Sequence, residues 1–154
     1  MCSAPDMPIL LVDDDPDCRM LIREAIGQSK VSNLVYEVPN GEEALDFVFQ
    51  RGRYVNAPRP GLIYLDIEMP GMSGQDVLRQ VKNDADLRDI PVVMMTGVAD
   101  EQQMHEAAVN GANSYTLKPA NAEQFLRTVL ASADYWLRIH QHPNHHLPAA
   151  ECRR

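Results

Sequence analysis

LIYLDIEMPG, residues 62–71, runs from four apolar residues straight into an acid and then into a Met-Pro-Gly turn. An unbroken apolar run that short reads as a strand covered on both faces, since a half-buried strand would alternate. Asp66 at its end is either a solvated strand terminus or a carboxylate held in place for chemistry. One residue does not separate these readings, but the segments on either side do.

Upstream, Ile9-Leu10-Leu11-Val12 is a second run of the same kind, and Asp15-Pro16 after it reads as a helix cap with proline at the first helical position. Leu21, Ile22, Ala25 and Ile26 give that helix its apolar face, and Gly27 lies near its end. Leu34 to Val38 reads as a strand, and Asn40-Gly41-Glu42-Glu43 fits a capping box for a second helix carrying Ala44, Leu45, Val48 and Phe49. A polar loop, RGRYVNAPRPG, then leads into Leu62. Downstream, Val77, Leu78 and Val81 mark a third helix, and Pro91 to Met95 a fourth strand with its proline at the first position. A fourth helix is expected from about Asp100 to Asn110, stopping at Gly111. Ser114 to Leu117 gives a fifth strand, and Phe125 to about Ile139 a final helix. Five strands alternating with five helices imply parallel pairing with helices on both faces, a doubly wound α/β domain.

The chain has 154 residues, 45% hydrophobic and 23% charged, and carries a net charge of -8. That length suits one domain, expected over residues 7–140, with 141–154 expected to be a disordered tail. Scattered Lys and Arg on an acidic background argue against a nucleic-acid surface. The opening MCSAPDMPILLVDDD lacks a basic region and a long apolar stretch, which excludes a signal peptide or membrane anchor of ordinary form. Cys2, Cys18 and Cys152 have no metal-ligand spacing and are read as reduced thiols of a cytoplasmic protein.

In open parallel sheets, sites form beyond the carboxyl ends of the strands. Collected there are Asp13-Asp14-Asp15, Asp66, Thr96-Gly97 and Lys118-Pro119. Singly, each has an ordinary explanation, Asp or Thr as a helix cap and Lys118 as a surface lysine, and Asp15 is assigned to the cap. Jointly they suggest a hard-cation site, with Mg²⁺ the natural occupant. A carboxylate beside such a cation and a lysine can attack a phosphoryl group and become an aspartyl phosphate, and Thr96 can donate to the new phosphoryl oxygens.

LLVDDD, LDIEMPGMSG, VVMMTG and GANSYTLKP, in this order and spacing, resemble the receiver domain of two-component response regulators, over Ile9 to about Leu137. The resemblance implies a flavodoxin-like, CheY-like (βα)₅ fold with a five-stranded parallel sheet in the order 2-1-3-4-5. It implies that Asp66 is the phosphoacceptor, and that Asp13 and Asp14 hold Mg²⁺ together with Asp66 and the backbone carbonyl of Glu68. Thr96 and Tyr115 match the switch pair. Lys118 matches the lysine that pairs with the phosphoryl group, and its bond to Pro119 is commonly cis in the family. Implied partners are a sensor histidine kinase or histidine phosphotransfer protein and a downstream protein target. The RGRYVNAPRPG loop, GANSYTLKP and Tyr135-Trp136-Leu137 are similar to small stand-alone regulators of bacterial phytochrome-type kinases. The chain is thus expected to be a single-domain phosphorelay switch that is no enzyme beyond its own phosphorylation and dephosphorylation.

Glu68 and Val98 suggest a phosphoryl group that persists. A charge at Glu68 discourages a second anion, and Val98 has no polar atom to orient water. Gly97 loosens the loop after Thr96. A Mg²⁺-dependent phosphatase with Asp66 as turnover nucleophile is an alternative, but Glu68-Met69-Pro70 meets its DxDxT pattern poorly. A pseudo-receiver binding partners without phosphorylation is a third reading, opposed by intact Asp13, Asp14, Asp66, Thr96 and Lys118. Phe125, Val129, Ala133, Trp136 and Leu137 recur at helical spacing and pack on the sheet, while Tyr135 and Ile139 point away, giving the last helix a surface for a homodimer or partner. His140, His142, His145 and His146 crowd the tail, where a disordered polar segment is favoured over a transition-metal site.

Overall fold

Every strand named above is present in the computed structural model, which describes residues 7–28 and 34–136. β1 (Ile9–Val12), α1 (Pro16–Gly27), β2 (Val35–Val38), α2 (Gly41–Val48), β3 (Leu62–Asp66), α3 (Gly74–Asn83), β4 (Val92–Thr96), α4 (Glu101–Val109), β5 (Ser114–Leu117) and α5 (Ala122–Asp134) follow one another along the chain. The sheet is parallel, in the order β2-β1-β3-β4-β5, with Val12 opposite Leu65 and Asp66 opposite Met95.

Both faces of the sheet are covered, which explains the unbroken apolar runs. Alternate strand residues feed two cores. Leu10, Val12, Ile63, Leu65, Val92 and Met94 pack under α2, α3 and α4. Ile9, Leu11, Leu62, Tyr64, Val93 and Met95 pack under α1 and α5. Burial of these side chains is the main favourable contribution to the fold. The Tyr64 hydroxyl would be costly in such a core, and it bonds the Ser132 hydroxyl of α5 at 3.0 Å.

The helix ends follow the expected chemistry with small shifts. Asp15 accepts the Asp17 N–H at 2.9 Å, the cap assigned to it above. Asn40 accepts the Glu43 N–H at 2.8 Å, but the Glu43 carboxylate meets the Asn40 side-chain amide at 3.4 Å rather than the backbone. That carboxylate also binds Tyr54 and Arg53, pinning the single helical turn Gly52–Tyr54 to the start of α2. β4 begins at Val92; Pro91 stays outside it and only its carbonyl pairs, accepting the Ile63 N–H at 3.0 Å. α5 begins three residues before Phe125, because Asn121 accepts the N–H groups of Glu123 and Gln124. Leu137, Ile139 and the histidine-rich tail lie outside the described residues. The Lys118–Pro119 bond is not cis, contrary to the family expectation; no described peptide bond is.

Candidate functional site

The carboxyl ends of β1 and β3 are adjacent in the sheet, so the acids that follow them are forced together. Carboxylate oxygens of Asp13, Asp14 and Asp66 all lie within 4.8 Å of one another. Asp13 and Asp66 are buried, at 2% and 5% exposure, and Asp14 is exposed. Lys118 reaches across from the end of β5, its ammonium 2.8 Å from Asp13 Oδ2 and 3.2 Å from Asp66 Oδ1. The lysine is aimed by its own backbone, whose N–H donates to the Thr96 carbonyl at 2.7 Å.

Electrostatics follow from that burial. Desolvation, with the charges of Asp13 and Asp14, pushes the Asp66 carboxyl from its ordinary 3.8 up to about 7, against the lowering influence of Lys118. For Lys118, burial disfavours the charge, but the hydrogen bond to Asp13 and the charges of Asp13 and Asp66 outweigh it and hold the ammonium above its ordinary value. Two buried acids with one lysine and an exposed third acid form an all-oxygen donor set with charge to spare. That set fits a divalent hard cation, which needs few carboxylates and keeps its waters.

Other residues complete the frame without having stood out in the sequence. Arg19 Nη1 donates to the Asp13 carbonyl at 2.6 Å while its Nε pairs with Glu37 of β2 at 3.1 Å, so β1 is held at the turn into the site. The Asp15 N–H donates to Asp13 Oδ1 at 2.9 Å, which orients that carboxylate. Cys18 fills space beside Asp13 and Lys118, and burial pushes its thiol up to about 12, so it is unreactive there. Gly74 starts α3 against the end of β3. A β carbon added to it would lie 2.2 Å from the Asp66 carbonyl oxygen. Ser73, just before Gly74, caps α3 by accepting the Asp76 N–H.

Thr96 ends β4 beside the loop that follows Asp66. Its hydroxyl donates to Glu68, with Oε1 at 2.8 Å and Oε2 at 3.0 Å, and accepts the Val98 N–H at 3.2 Å. It therefore turns toward Glu68 rather than toward Lys118 and the acids. Tyr115 on β5 is half-buried, but its hydroxyl oxygen is buried without a hydrogen-bond partner. Burial, with the charges of Asp100 and Glu68, raises its pKa. Gly97 has open space around it.

Residues 9–130 match the family model described as the response regulator receiver domain. The chain belongs to that family. This receiver is 33% identical over 135 residues to the response regulator Rcp1 of Synechocystis sp., covering 88% of the chain and 92% of Rcp1. It superposes on the phosphorylated cyanobacterial phytochrome response regulator RcpA with a TM-score of 0.87 at 34% identity, covering 90% of the chain and 99% of RcpA. It also superposes on the Mn²⁺-bound form of Rcp1 with a TM-score of 0.85 at 31% identity, covering 89% and 99%. The resemblance to receivers, the likeness to phytochrome-associated regulators and the strand order expected from both are borne out. The protein is a receiver of two-component signalling, from a family of switches that bind a divalent metal and work with histidine kinases and downstream targets. No helix among the described residues is long and apolar enough to cross a membrane.

Proposed function

We propose that Asp66 accepts a phosphoryl group from a sensor histidine kinase or a histidine phosphotransfer protein. The observation that carries this is the buried Asp66 carboxylate, facing two further acids and one ammonium 3.2 Å away, at the end of a fully buried strand. Rigid placement and fixed charge are what phosphoryl transfer requires of a protein. An Asp66 carboxylate oxygen forms the bond to phosphorus as the phosphorus–nitrogen bond of the phosphohistidine breaks, and the imidazole keeps the departing electron pair. Lys118 neutralises charge on the transferred oxygens. Asp13, Asp14 and Asp66, with the Glu68 carbonyl, are the residues that would hold Mg²⁺, which supplies further charge neutralisation when bound. Thr96 and Tyr115 form the switch pair. Thr96 turns from Glu68 to the phosphoryl oxygens, and Tyr115 follows into the space it leaves.

The change is read by a protein partner, on the exposed faces of α4 and β5 and on the last helix, where Tyr135 is exposed and also offers a surface for a homodimer. The buried free thiol of Cys18 suits a cytoplasmic setting. Intact mass after incubation with Mg²⁺ and acetyl phosphate tests the reading. Wild type gains one phosphoryl group and Asp66→Asn gains none. Equal gain in both, or in neither with a phosphohistidine donor also supplied, removes Asp66 from the role.

A further inference from the structure

We infer that Glu68 is a positioning residue that holds the Thr96 hydroxyl away from the phosphoacceptor, and so sets how readily the phosphorylated state is reached. The inference rests on the reading that Asp66 is phosphorylated and that Thr96 turns toward the phosphoryl group.

Sheet register makes the contact. The Ile67 N–H donates to the Met95 carbonyl at 3.0 Å, so β3 and β4 stay paired one step beyond Asp66 and Glu68 comes alongside Thr96. A threonine hydroxyl has one proton to donate. Here that proton is shared between both oxygens of the Glu68 carboxylate, and the Val98 N–H occupies the lone-pair side. Thr96 is 1% exposed, so its hydroxyl has no water to turn to instead. Glu68 pairs with no lysine or arginine among the described residues, which leaves Thr96 as the hydroxyl that anchors it.

The two partners differ in what release costs them. Glu68 is exposed and borders a cavity of about 530 Å³, lined also by Met69, Ser73, Gln75, Gln103 and Glu106, so a freed carboxylate has room and solvent. Thr96 has neither. It must exchange the carboxylate for another acceptor at once, and the phosphoryl oxygens on Asp66 would supply it. Glu68 therefore competes with the phosphoryl group for a single proton. Bonds to a charged acceptor are the stronger kind, though exposure at Glu68 tempers this one.

The test is the phosphorylated fraction at steady state, read by intact mass, with acetyl phosphate and Mg²⁺ at a donor level that half-fills wild type. Glu68→Ala is expected to raise the steady-state ratio of phosphorylated to unphosphorylated protein by roughly three- to tenfold, the factor that one net hydrogen bond is worth. Glu68→Gln keeps an acceptor oxygen and is expected to shift it less. The deciding measurement repeats both variants in Thr96→Ala and Thr96→Ser backgrounds. Thr96→Ala should erase the effect of Glu68 and Thr96→Ser should preserve it. If Glu68 acts only by its charge on an approaching anion, Gln and Ala will behave alike and both effects will survive Thr96→Ala, which overturns the inference. Uptake absent from wild type, or retained in Asp66→Asn, overturns the underlying reading and the inference with it.

Discussion

β3 and β5 differ in what surrounds them. All five residues of β3 are buried, whereas Ser114, Tyr115 and Thr116 of β5 are half-buried and Leu117 is exposed. The helices repeat the contrast. Five residues of α3 are buried, and of α4 only Ala107. The acids of the site thus stand on the part of the molecule that cannot shift without disturbing the core. Of the two groups assigned to the switch, Tyr115 stands where few buried contacts resist local change, whereas Thr96 is buried at the end of β4. One fold places a fixed platform beside a softer edge, and the boundary runs just beyond Thr96, where burial gives way to exposure at Gly97.

The sharpest way to break this comparison is to disturb the fixed side. Gly74→Ala drives a β carbon into the Asp66 carbonyl, and it is expected to cost about 2 kcal/mol or more in denaturant unfolding and to slow phosphoryl uptake. Unchanged stability and uptake would show that the start of α3 yields, and the platform would not be fixed.

A pH series is next in size. With Asp66 at about 7 in the folded metal-free protein and at its ordinary 3.8 unfolded, the folded state holds a proton that the unfolded state has lost between those values. Stability from this group therefore falls as pH rises from about 4 to about 7, and levels off above. Asp66→Asn should flatten that slope and raise stability at pH 8. A slope of the same size in Asp66→Asn would assign it to another group.

On the soft side the expected effects are smaller and opposite in sign. Tyr115→Phe removes a buried hydroxyl that has no partner, so it should stabilise the resting protein by about 1 kcal/mol. A loss instead would reveal a partner for that hydroxyl. Gly97→Ala meets open space and should stabilise by about 0.5 kcal/mol through the unfolded chain, with little effect on phosphoryl uptake. A large loss there would place Gly97 among the constrained residues with Gly74.

How much of this was legible beforehand follows from range. The strands and the meeting of Asp13, Asp14, Asp66 and Lys118 came from local apolar runs plus the rule that sites lie at carboxyl strand ends, and the acids do gather there; the strand order came from the resemblance to receivers. Boundaries slipped where a cap acted alone, as Asn121 does in starting α5 ahead of Phe125. The trans bond before Pro119 departed from a family habit that no residue of this chain dictated. The Glu68–Thr96 bond was out of reach for a different reason. Glu68 was expected near the site as a charge, but its bond to a threonine 28 residues away depends on the β3–β4 register and on a rotamer, and neither leaves a mark in composition or periodicity. Arg19 was hidden likewise, since nothing local separates an arginine that grips a backbone carbonyl from one that faces water.

The sparse burial of α4 has a consequence for descent. Eight of its nine residues contribute no buried side chain, so most substitutions there leave the folding energy nearly untouched. If α4 is the partner surface proposed above, a lineage could rewrite that helix, and with it the molecule that listens, while the acids and lysine beneath stay as they are. Divergence of the message would need no reinvention of the chemistry.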